Sequence, residues 1–171
     1  MAPSTPDRIL DALEALLIEG GLTQVTLEAV AAKAGVSKGG LLYHFRSKEA
    51  LLAGMVRRQS ERSDQQFAEA GTSMAEWYLR SADDPAETAL YGSLIAVLRS
   101  VDGTEGVVKK AVIEAMAAYD DALRAEIGDP VQAEIIRLVG DGVFLASMLG
   151  LAAPDPTLYA KVVERLLPKS D

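Results

Sequence analysis

The chain has no cysteine and a single histidine, His44. Disulfides and thiolate metal sites are therefore excluded, one imidazole is too few soft ligands for a protein-built zinc centre, and the lack of thiols fits a reducing compartment. Long apolar runs are missing too. No segment holds the ~18 uninterrupted apolar residues of a membrane span, and the start from Met1 to Pro6 lacks the charged stretch and apolar run of a signal peptide. A cytoplasmic protein with no membrane partner is expected. There is no glycine-rich phosphate loop after a strand, no metal-ligand spacing, and no assembly of nucleophile, base and orienting group. Neither an enzyme nor a cofactor or metal is expected.

What the chain does have is helix. Of its 171 residues 49% are hydrophobic and only 5% aromatic, enough to bury one sizeable core, and its alanine and leucine richness favours helices over strands. Four of the seven prolines follow a capping residue, in Thr5-Pro6, Asp84-Pro85, Asp129-Pro130 and Asp155-Pro156. Each pair reads as an N-cap followed by the first helical position. With the glycines that close helices, these marks predict an all-α chain of about nine helices, near 6–19, 27–34, 38–44, 48–70, 73–81, 85–100, 105–127, 130–149 and 156–167. Ile9, Leu10, Leu13, Leu16 and Leu17 repeat at the helical period, so the first helix should pack on the next two as a compact head.

Residues 20–48 are the most informative. Thr26 is placed to N-cap a helix from Leu27 to Ala34, with Val25 and Val30 as its hydrophobic staple; Gly35 is placed to end it, and Ser37 to N-cap a second helix from Lys38. Two short helices about a three-residue turn form a helix-turn-helix, the arrangement that sets a helix into the DNA major groove. The net charge of −8 runs against nucleic-acid binding until its distribution is considered. Residues 33–58 carry Lys33, Lys38, Arg46, Lys48, Arg57 and Arg58 against Glu49 alone, a net charge of +5, while residues 59–171 carry −9. The acidic remainder should point away from the duplex.

The run from Leu27 to Gly39 and the run from Tyr43 to Leu52 resemble the DNA-binding head of TetR-family transcriptional regulators, the likeness covering residues 6 to about 56. More loosely, residues 40–45 and 141–144 resemble a multidrug-responsive subgroup. The resemblance implies a DNA-binding domain over residues 1–47 and a helical effector-binding and dimerisation domain over 48–171. It also implies a homodimer that reads a near-palindromic operator and represses until a small ligand enters the body. Lys38 opens the recognition helix, where a long cation reaches a guanine edge or a phosphate; Ser37 and the free N–H groups of that start face anionic oxygen. Tyr43 and His44 follow one turn later, and Thr26 and Lys48 are placed to clamp the backbone on either side. Gly39 and Gly40 let backbone and duplex approach closely. Arg46 and Arg57 stay open between phosphate contact and solvated charge. The family usually has Thr at position 40 and an aromatic at 42, where this chain has Gly40 and Leu42; Tyr43 is the substitute for the contact thereby put in question.

Met55, Met74, Trp77, Tyr78, Tyr91, Met116, Tyr119, Phe144 and Met148 are the large adaptable side chains of the body, candidates for an effector pocket and equally able to fill a plain core. Asp141, with Arg137 one turn earlier, reads as a surface ion pair or as a counter-charge for a cationic ligand. The helix near 130–149 carries more apolar residues than one stripe can hold, so a second apolar face needs a partner. Val139, Val143, Leu158, Val162 and Leu166 are the candidates for a two-fold four-helix interface. The reading is a DNA-binding repressor released by a small apolar or amphipathic effector. The alternative is a helix-turn-helix protein controlled by a protein partner, or an activator, without a small-molecule pocket.

Overall fold

A computed structural model describes residues 3–81 and 106–167. Among the described residues there are eight α-helices, one 3-10 turn and no strand: α1 (Thr5–Gly20), the 3-10 turn (Leu22–Gln24), α2 (Leu27–Ala34), α3 (Lys38–His44), α4 (Lys48–Ala70), α5 (Met74–Ser81), α6 (Val107–Ile127), α7 (Pro130–Met148) and α8 (Pro156–Leu166). The helix expected at 85–100, with its Asp84-Pro85 start, lies outside the described residues.

Side-chain caps explain where the helices begin. Thr26 Oγ1 accepts the Ala29 N–H at 3.0 Å, Ser37 Oγ that of Gly40 at 3.0 Å and Ser47 Oγ that of Ala50 at 3.1 Å. Asp129 accepts from Val131 and Asp155 from Leu158, each just ahead of a proline that needs no partner for its nitrogen. The first helix departs from the expected start: Ser4, not Thr5, is its N-cap, and Ser4 and Asp7 satisfy each other's backbone N–H as a capping box, which moves Pro6 to the second helical position. Gly35 ends α2 in the left-handed region at φ 66°. Its N–H reaches Ala32 O while that of Val36 reaches Ala31 O, the paired closure that a glycine makes cheap.

The described residues form two compact units, 3–61 with 106–115 and 62–81 with 116–167. In the first, α1 packs on α2 and α2 on α3. Ile9, Leu13 and Leu17 of α1 meet Val25, Val30 and Leu41 in one core, each of them almost fully buried. That unit runs past the expected boundary at residue 47, because Leu51, Leu52, Ala53, Met55 and Val56 of α4 are buried in the same core. At about 1.5–3 kcal/mol for each fully buried large aliphatic side chain, the start of α4 is as firmly part of the head as α3 is. Gly54 belongs to this packing, since a Cβ there would come within 2.7 Å of the Phe45 ring.

In the second unit, α5 packs against α7 and α7 against α8. Met74, Ala75, Leu79, Leu123, Ile136 and Val163 are its buried centre, surrounded by half-buried aromatics. The start of α5 is held by Glu126 of α6, whose carboxylate accepts the Met74 and Ala75 N–H groups at 2.6 and 3.0 Å. No helix among the described residues is long and apolar enough to cross a membrane.

Candidate functional site

Because Val30, Ala31, Ala34 and Leu41 turn inward, the opposite face of the helix-turn-helix is left to Lys38, Gly39, Tyr43 and His44. Tyr43 is 82% exposed, and its ring meets that of His44 edge-on at 5.1 Å. Thr26 and Ser37 are exposed, and each accepts one N–H of its own helix start, leaving the hydroxyl hydrogen to donate to an anionic oxygen. A Cβ on Gly39 would meet only Ser37 Oγ, at an uncrowded 4.0 Å, whereas one on Gly40 would crowd the same oxygen at 3.2 Å. The two glycines thus do different things: one bares the backbone, the other protects the cap.

The basic side chains are more committed than a count along the chain implies. Lys38 Nζ lies 2.5 Å from Glu28 Oε1, and Lys33 Nζ 2.7 Å from Glu19. Lys48 donates to the Val25 carbonyl at 2.6 Å, tying the start of α4 to the residue before Thr26. Arg58 is only 8% exposed; it donates to Asp7 O at 3.0 Å, to Asp11 at 2.8 Å and to Glu14, joining α4 to α1. It therefore does not belong to a DNA-facing patch. The window 33–58 overstated that patch, since Glu19, Glu28, Asp11 and Glu14 lie outside it in sequence and beside it in space. Arg46 and Arg57 are exposed, with no ion-pair partner among the described residues. Sequence reasoning also missed Arg8, which donates to the carbonyls of Ala34 and Gly35 at 2.7 and 3.3 Å and so closes the carbonyl end of α2. No local spacing signals such pairings across helices.

In the second unit, four aromatics form a connected set: Phe67 lies 5.7 Å from Trp77, Trp77 is stacked on Tyr119 at 5.8 Å, and Tyr119 is 6.2 Å from Tyr78. Met74 packs into the same cluster. The Tyr78 hydroxyl donates to Asp141, whose other oxygen accepts from Arg137 at 2.6 Å, and Arg137 also pairs with Glu134 and Asp120. Burial, then the bond to Asp141, pushes the Tyr78 phenol far above its ordinary range. Gly140 makes this possible, since any Cβ there would overlap the Tyr78 ring. Asp141 is thus a half-buried member of a network, not a lone surface pair.

The other pocket candidates are scattered. Met55 is buried in the first unit's core, Met116 is 56% exposed, and Phe144 is half-buried. Tyr91 and the side chain of Met148 lie outside the described residues. Among the interface candidates, Val139 and Leu166 pack on the second unit's own core, Val143 and Val162 are half-buried, and Leu158 is 62% exposed. The exposed apolar stripe of α7 is instead Val131, Ile135, Leu138 and Leu145, continued by Leu149. The apolar excess on this helix was legible, but the side that faces inward is fixed by where α5 and α8 pack.

The family model for bacterial regulatory proteins of the tetR family matches residues 9–55, and a tetracyclin repressor-like C-terminal domain model matches residues 72–170. The transcriptional regulator UidR of Escherichia coli is 34% identical over 68 residues, 40% of this chain and 35% of UidR. SrpR of Pseudomonas putida is 39% identical over 59 residues, 34% of this chain and 28% of SrpR. The chain thus spans about a third of the length of these curated relatives. Among solved structures, a TetR-family member from Streptomyces coelicolor A3 superposes with a TM-score of 0.77 at 22% identity, covering 98% of this chain and 100% of the other. The multidrug binding protein EbrR complexed with malachite green superposes with a TM-score of 0.74 at 23% identity, with the same coverage. At such identities the likeness is one of fold.

Proposed function

Because the chain belongs to the TetR family of bacterial DNA-binding transcriptional regulators, which are not enzymes, we propose that it acts as a cytoplasmic repressor of a near-palindromic operator. The observation that carries this reading is the outward face of α3, where Lys38, Gly39, Tyr43 and His44 stand clear of the core beside the capped, N–H-rich helix start at Ser37. Thr26 and Lys48 flank that face, as backbone clamps would. Selection from random duplexes is expected to enrich an inverted repeat, and recovery of no such repeat overturns the proposal. Lys38→Ala should change which bases are preferred, because a cation at the recognition-helix start reads base edges.

The operator-bound form is a homodimer in this reading. Support comes from the α7 stripe Val131, Ile135, Leu138 and Leu145, whose members are 40–66% exposed and recur on one helix face. The effector is an apolar or amphipathic molecule, and the support is the aromatic set around Trp77 and Tyr119 with its carboxylates alongside. Three of the molecules seen bound to EbrR in solved structures, malachite green, ethidium and proflavin, agree with that class. Titration with malachite green should raise the melting temperature, as any ligand of the native state must; no shift at saturating dye removes triarylmethane dyes from the effector class.

A further inference from the structure

Glu28 is the only acidic residue between Thr26 and Lys48, and its carboxylate lies on the ammonium of Lys38. The pair is on the surface, with the two side chains 64% and 53% exposed. Each charge sits at a helix start. Glu28, in the first turn of α2, is favoured by the N–H groups there, whereas Lys38, at the first position of α3, is disfavoured by the same polarity. The bond from Lys38, with the backbone N–H groups second, holds the Glu28 carboxyl below its ordinary range, so it is charged at neutral pH.

We propose that Glu28 is a selectivity residue that turns Lys38 from a phosphate binder into a base reader; the inference rests on the DNA-binding reading above. An ammonium has three donors. With one on Glu28, it can still donate to the neutral O6 and N7 acceptors of guanine without adding negative charge next to the carboxylate. A phosphate brought to the same ammonium meets the Glu28 charge and must displace it, so the exchange of one anion for another releases no net counterion. The carboxylate leaves readout of the operator in place and removes one phosphate contact per head from binding to arbitrary DNA. A plain repulsion of DNA by Glu28 would not need Lys38, and that difference makes the two roles separable.

The test compares the full chain with Glu28→Gln and Glu28→Ala on the selected operator and on a random duplex of equal length, over a range of salt. Both variants should bind the random duplex about tenfold more tightly, with a salt slope steeper by about 0.9 for each head. Operator affinity should rise less, so the ratio between the two falls. In a Lys38→Met background the same substitutions should have no effect. The inference is overturned if Glu28→Gln leaves random-duplex binding and slope unchanged, if both duplexes gain equally, or if the gain survives without Lys38. A wild-type chain that selects no duplex brings down the regulator reading itself, and this inference with it, before any variant is compared.

Discussion

Gly140 and Gly142 are two residues apart in α7 and should respond oppositely to the same substitution. Gly140→Ala puts a methyl into the Tyr78 ring, so it should destabilise by about 1–3 kcal/mol and break the bond from Tyr78 to Asp141. Gly142→Ala meets nothing within 4 Å in the protomer and should gain up to about 1 kcal/mol of helix propensity. Denaturant melts of both variants check the pair, and equal losses would refute the Tyr78 packing. Arg58 offers a second residue-scale expectation. Arg58→Met removes the guanidinium that Glu14 and Asp11 share at the joint of α1 and α4, at a cost of about 2 kcal/mol, below that of a fully buried pair because Asp11 is half exposed. Such roles are invisible in the sequence. Nothing local distinguishes Arg58 from Arg57, and only the turn of α4 against α1 buries one and exposes the other.

At the scale of the element, far more could be read in advance. Thr26, Ser37, Asp129 and Asp155 cap where their types and the following prolines or apolar periods said they would, because an N-cap is decided within four residues. The exception is instructive: Ser4 and Thr5 are both good caps, and Ser4 prevails because Asp7 stands three residues after it to close the box. Charge is harder, since pairing is decided across elements. Lys48 was legible as a cation at a helix start but not as a donor to Val25 O, so Lys48→Ala now carries two expected effects. It should lose about 1 kcal/mol of stability with that hydrogen bond. It should also weaken operator and random duplexes alike while flattening the salt slope by roughly one. Loss of stability with unchanged DNA binding would assign Lys48 to the fold alone.

At the scale of the whole molecule, the apolar excess of α7 was legible, but the residues expected on its partner face, Val139 and Val143, are half-buried in the protomer, and the exposed ones are Val131, Ile135, Leu138 and Leu145. Leu138→Glu and Leu145→Glu place charge on the exposed stripe and should yield a monomer by sedimentation, whereas charge at Val139 should unfold the second unit, whose core that residue touches. The proposed coupling of ligand to DNA is a matter of linkage. Helix α4 supplies residues to both compact units, Lys48 near its start and Phe67 near its end. A ligand bound at Trp77 and Tyr119 can change operator affinity only by binding the DNA-competent and incompetent states unequally. Moving a 99:1 equilibrium to 1:99 takes about 5.5 kcal/mol of differential affinity. That requirement is reciprocal. If an amphipathic aromatic ligand weakens operator binding by some factor, saturating operator must weaken the ligand by the same factor. Trp77→Ala should reduce both effects together. Ligand binding that leaves operator affinity unchanged, or a full response from the Trp77→Ala protein, would overturn this coupling.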